Sequence, residues 1–109
     1  MTKITIYKDR TGNYKSFQCK GHAGSGEYGF DIVCASISVL TINAINSLES
    51  LTKDTLELTQ DENTGFIQVV FPHQLSSGGR LLMDSYVMGI ESIQSEYGSK
   101  YIKVFHKEV

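Results

Sequence analysis

A histidine and a cysteine, His22 and Cys34, bracket the glycine-rich stretch GHAGSGEYGFDIVCASIS that runs from Gly21 to Ser38. An imidazole at one end of a flexible loop and a thiol at the other are the two parts of a nucleophilic dyad. The base takes the thiol proton, stabilises the thiolate as imidazolium, and later protonates the leaving amine. The intervening segment is long enough to fold back, so a contact between the two side chains is allowed by chain length. Asp31 is a good N-cap, which starts a helix just after it and puts Cys34 at the third helical position. There its sulfur lies near unpaired backbone N–H groups and the positive helix end, both of which favour the thiolate.

The same residues have plainer readings. A cysteine in the first turn of an apolar helix is usually a core residue, so spacing alone leaves catalysis and packing both open. Cys19, inside a strand and opposite no evident base, reads as a small packed hydrophobe. Cys19, His22 and Cys34 with His73 or His106 are the right types for zinc, but only Cys19 and His22 have paired-ligand spacing, so no metal is expected. Asp31 either caps the helix or orients His22 as a third triad member. Ser38, four residues after Cys34, shares its helix face.

The elements that must hold these groups follow from periodicity. Ile4 and Ile6 alternate with polar neighbours over Thr2 to Lys8, Thr11-Gly12-Asn13 is a turn signal, and a second strand spans Tyr14 to Lys20. In that hairpin Phe17 and Cys19 share one face, and Tyr14, Ser16, Gln18 and Lys20 the other. Gly21, Gly24, Gly26 and Gly29 make one long loop, expected to open without substrate and close over it. From Asp31 to Leu51, apolar residues recur at spacings of three and four, and Ile32, Ala35, Val39, Ile42 and Ile45 extend them around the other faces. This predicts a central, largely buried helix. Strands are predicted over Thr55–Thr59 and Gly65–Phe71, then a helix capped by Ser76 or Ser77 and stopped by Gly98, and a last strand over Tyr101–His106. The ββαββαβ order describes an α+β fold: one domain over residues 1–109, with two helices packed on a mixed or antiparallel sheet.

Bulk properties set the outer limits. A chain of 109 residues with 40% hydrophobic content can bury a core without staples. No apolar run reads as a membrane span, and MTKITIYKDR reads as a charged strand rather than an export signal, which predicts a cytoplasmic protein with reduced thiols. A net charge of −2 argues against direct RNA binding. The charge is unevenly spread: Lys3, Lys8, Arg10, Lys15 and Lys20 face Asp9 alone in the first twenty residues. From 21 to 66 only Lys53 opposes Glu27, Asp31, Glu49, Asp54, Glu57, Asp61 and Glu62. This is either solvated surface or an acidic region that draws a basic ligand.

GHAG, a glycine-bearing loop and YGFDIVCASIS together resemble the signature of the bacterial ribosomal-processing cysteine protease family, Prp. The matching positions are Gly21, His22, Ala23, Gly24, Tyr28, Gly29, Asp31, Ile32, Val33, Cys34, Ala35 and Ser38. The resemblance implies an endopeptidase that removes the N-terminal extension of the precursor of large-subunit ribosomal protein twenty-seven. It makes Cys34 the nucleophile and His22 the base, gives Asp31 and Ser38 supporting roles, and assigns Gly21, Gly24, Gly26, Tyr28 and Gly29 to a substrate-binding loop. It further implies a homodimer, cleavage after an aromatic residue and no cofactor. Phe30 departs from the polar residue many members carry there, which bears on subsites rather than chemistry. The competing reading is a noncatalytic ribosome-associated or RNA-binding module, built on the basic hairpin and on Lys100, Lys103 and Lys107.

Overall fold

The computed structural model describes residues 1–21 and 28–109, the backbone of 28–31 being described without side chains. The proposed motion of the loop, and His22, Gly24 and Gly26 with it, lie outside the described residues. The elements follow the order β1 (Thr2–Lys8), β2 (Tyr14–Lys20), α1 (Tyr28–Leu51), β3 (Glu57–Asp61), β4 (Phe66–Val70), α2 (Ser77–Tyr97) and β5 (Ile102–Glu108). The sheet is mixed, in the order β3-β4-β2-β1-β5, with β1 and β5 parallel and all other neighbours antiparallel. The expected ββαββαβ order and α+β class are those observed.

One face of the sheet is apolar. Ile4, Ile6, Phe17, Cys19, Val69 and Ile102 are buried there, against Val33, Ile37, Ala44, Ile45 and Leu48 of α1 and Met83, Tyr86, Ile90 and Ile93 of α2. Period-two strands and period-3.6 helices thus bury their apolar faces in one shared core. The Phe17 ring sits 5.0 Å from that of Tyr86 and 6.2 Å from that of Phe71, tilted on both, a usual geometry for aromatic pairs. On the opposite face Lys3 is paired across the strands with Lys20 and Lys103, all three exposed.

Three expectations need correction. Strict alternation predicts Tyr14 on the face of Ser16 and Gln18, yet it is 3% exposed. The ladder runs Tyr7↔Ser16 and then Lys8↔Tyr14, so Lys15 is an extra residue that inverts the alternation and turns Tyr14 inward. Its hydroxyl donates to Asp84 Oδ1 at 2.5 Å, and burial, with that carboxylate, pushes the phenol far above its ordinary value. Second, β3 begins at Glu57 rather than Thr55, because Asp54 is engaged elsewhere. Its carboxylate accepts from Ser76 N at 3.0 Å and Ser76 Oγ at 2.7 Å, fixing the linker before β3 to the N-cap of α2.

The third correction concerns α1. It starts at Tyr28, three residues before Asp31, because a single Gly29 costs a helix only about 1 kcal/mol, which packing of the following turns offsets. Nor is it buried all round: Val39 is 68% and Ile42 50% exposed, so one flank of the helix has no covering element among the described residues. The segment Ile32–Leu51, with mean hydropathy 1.5, is long and apolar enough by length and composition to cross a membrane, contrary to the expectation from sequence. In this fold Val33, Ile37 and Leu48 of that segment bury against the core.

Candidate active site

Cys34 lies seven residues into α1, partly exposed, with Ser38 one turn further along the same face and exposed. Four and seven residues after Cys34, Ser38 and Thr41 continue a row that lines a cleft of about 390 Å³. The cleft lies between α1, the strand ends at Thr2 and Cys19, and the β3–β4 hairpin, which contributes Asp61 and Glu62. Cleft volumes of this size take a short stretch of peptide or a small ligand.

The longer helix changes the physics of the thiol. The N–H groups that lack an intrahelical partner belong to the start of α1, and Cys34 stands about 9 Å beyond Tyr28 along the axis. Cys34 is not a first-turn cysteine, and it stands beyond the turn in which the dipole effect is strongest. Asp31 is the fourth residue of the helix, not its N-cap. The N-cap expected for α2 is realised by Ser76, whose Oγ accepts from Gly79 N at 3.0 Å.

A polar neighbour of the Cys34 sulfur is Thr2, whose Oγ1 lies 3.8 Å from Sγ. Thr2 is 3% exposed and its N–H donates to Tyr101 O at 3.0 Å, so the hydroxyl is carried by a fixed strand end. The root of the glycine segment touches the same place. Gly21 has φ +105°, and a Cβ there would stand 2.6 Å from the Met1 carbonyl oxygen, so both the backbone and the space require glycine. His22, the next residue in sequence, lies outside the described residues.

Cys19 lines the same cleft but is 6% exposed, and burial, with the neighbouring Cys34 adding to it, pushes its thiol up to about 11. It is thus held as a protonated thiol at neutral pH. The floor is closed by Thr41, fully buried, whose hydroxyl shares a 2.9 Å hydrogen bond with Tyr86. Sequence reasoning named Cys34, Ser38 and Gly21, which the fold gathers around the cleft. It missed Thr2, for which a strand-end threonine gives no signal, and it saw Asp61 and Glu62 only as part of a charge imbalance. Among the described residues no three metal-binding side chains converge, and His106 is paired at 2.6 Å with Glu91 of α2.

The profile of the family described as cysteine protease Prp matches residues 1–103, nearly the whole chain and all the described residues around the cleft. The chain belongs to the Prp cysteine protease family. It is 29% identical over 101 residues to the ribosomal processing cysteine protease Prp of Bacillus subtilis, covering 89% of this chain and 90% of that one. Among solved structures, a Streptococcus mutans protein superposes with TM-score 0.85 at 31% identity, covering 100% of this chain and 96% of that one. An essential ribosomal processing protease Prp from Staphylococcus aureus, in complex with a covalently linked product peptide, superposes with TM-score 0.89 at 26% identity. That match covers 98% of this chain and all of the other. Family membership makes the chain a cysteine protease, and the cleft beside Cys34 is where its described residues can receive a peptide.

Proposed function

We propose that this protease removes the N-terminal extension of the precursor of large-subunit ribosomal protein twenty-seven, with Cys34 as nucleophile and His22 as general base. The carrying observation is the partly exposed Cys34 sulfur on the wall of a peptide-sized cleft in a chain of this family. The thiol proton passes to the imidazole, the thiolate attacks the scissile carbonyl, and the imidazolium protonates the departing amine. A thioester remains, and water activated by the same imidazole hydrolyses it. The covalently linked product peptide in the Staphylococcus aureus relative supports a covalent route.

Supporting roles go to Asp31 and Ser38, and substrate contact to the segment holding Gly21, Gly24, Gly26, Tyr28 and Gly29. Asp61 and Glu62 on the cleft rim suit a basic stretch of substrate beside the scissile bond. The uncovered flank of α1, with Val39 and Ile42, supports a homodimer in which a second copy buries that stripe. We place it in the cytoplasm, where thiols stay reduced, which suits this chemistry.

The deciding experiment incubates the protein with the precursor and reads the new N-terminus by mass spectrometry, with Cys34→Ala and His22→Ala alongside. Wild-type cleavage lost in both variants, with their melting curves unchanged, is the expected result. Cleavage that survives in either variant removes that residue from the dyad.

A further inference from the structure

We infer that Thr2 is a positioning residue for the Cys34 thiol, its hydroxyl holding the sulfur toward the cleft and bonding more strongly to thiolate than to thiol. The inference rests on the reading of Cys34 as nucleophile. Thr2 Oγ1 lies 3.8 Å from Cys34 Sγ, both residues line the cleft, and the two are 32 positions apart in sequence. Three observations make the hydroxyl a fixed rather than a wandering partner. The residue is 3% exposed, its N–H is bonded to Tyr101 O, and its β-branched side chain has few χ1 choices.

Direction of the bond sets its consequence. A thiol is a weak donor and weak acceptor, so in the neutral state the pair gains little. Once the proton has left, the sulfur is an anion and the hydroxyl donates a charge-assisted bond to it. The interaction therefore favours the nucleophilic form and is absent from a residue with the same shape but no hydroxyl. Thr2 also packs against the start of the glycine segment, since its Cα would lie 3.4 Å from a Cβ placed on Gly21. Of the described titratable groups, Cys19 of β2, Asp61 of β3 and Glu62 of the following turn share this cleft and are common to all variants compared.

The test is the pH profile of Cys34 alkylation by iodoacetamide, resolved from Cys19 by peptide mass spectrometry, in wild type, Thr2→Val, Thr2→Ala and Thr2→Ser. Losing one charge-assisted hydrogen bond moves the alkylation midpoint upward by roughly 0.5–1 pH unit, about 3–10-fold in rate on the acid side. Thr2→Val and Thr2→Ala should both shift, and Thr2→Ser should retain the wild-type midpoint. Midpoints unchanged in the two hydroxyl-free variants overturn the inference, as does a serine variant that shifts as far as they do. Having two hydroxyl-free variants keeps the test decisive if one of them folds poorly. Precursor cleavage surviving in Cys34→Ala would instead strike the nucleophile reading, and the alkylation profiles separate the two failures.

Discussion

Replacing Thr41 with valine tests whether the floor of the cleft is held by a polar bond between the two helices rather than by shape alone. Thr41 and Tyr86 are 0% and 3% exposed, and their hydroxyls share a single bond of 2.9 Å between α1 and α2. Valine matches threonine in volume, so almost no transfer term or cavity is created, and the main loss is a partner for a buried phenol. Leaving such a group unsatisfied costs about 1–3 kcal/mol. For a domain of this size that lowers the melting temperature by roughly 4–12 °C, taking about 4 °C per kcal/mol. Tyr86→Phe should cost a comparable amount by orphaning the threonine hydroxyl. The double variant removes both partners and should cost less than the sum, with a coupling of about 1 kcal/mol in a denaturant-unfolding cycle. Strictly additive single costs would refute the reasoning and assign the destabilisation to packing.

Gly21→Ala forces a side chain into a φ of +105° and against the Met1 carbonyl; a loss of about 1–3 kcal/mol and reduced cleavage are expected, and an unchanged melting curve would count against it. If the Asp61 and Glu62 rim attracts a basic substrate, affinity should fall with added salt, and the Asp61→Asn, Glu62→Gln double variant should bind more weakly with a flatter salt slope. Equal slopes in titrations of a substrate-derived peptide would dismiss the electrostatic role. The Asp9 carboxyl is held down at about 2, first by the Thr11 hydroxyl at 2.7 Å and then by the Asn13 N–H. A depressed folded value stabilises fully above the unfolded value of about 4, and the gain fades as pH falls through about 2. The stability gap between wild type and Asp9→Asn should therefore close over that interval in urea titrations, and a gap independent of pH would contradict it.

Much of the fold was legible because its local signals agree with its packing. Ile4 and Ile6 alternate and bury, Ser76 caps, and Gly98 with φ 93° stops α2. What failed were features decided by contacts distant in sequence. The extra residue Lys15 reverses the face of Tyr14, and the Asp84 carboxylate that receives it is 70 residues away. The uncovered flank of α1 could not be seen in its composition, since Val39 and Ile42 have the same character as the buried Ile37 and Ile45. At the site, Cys34 and Ser38 are adjacent on one helix and could be read together. Thr2 reaches Cys34 only once the sheet is assembled, and no spacing announces that.

The central strand β1 is flanked on one side by β2, its neighbour in sequence, and on the other by β5, the last element, with Thr2 opposite Ile102. Translation delivers these partners at opposite times. While residues beyond Tyr97 are still inside the ribosome, β1 has an unpaired edge and the Thr2 N–H has no Tyr101 carbonyl to bond. Closing a sheet across some hundred residues is among the slower steps a small domain takes, because the loop entropy is spent before the contact forms. The strand end that carries Thr2 to the sulfur is therefore completed by a segment about a hundred residues downstream, and the cleft is finished by one of the slower contacts of the fold.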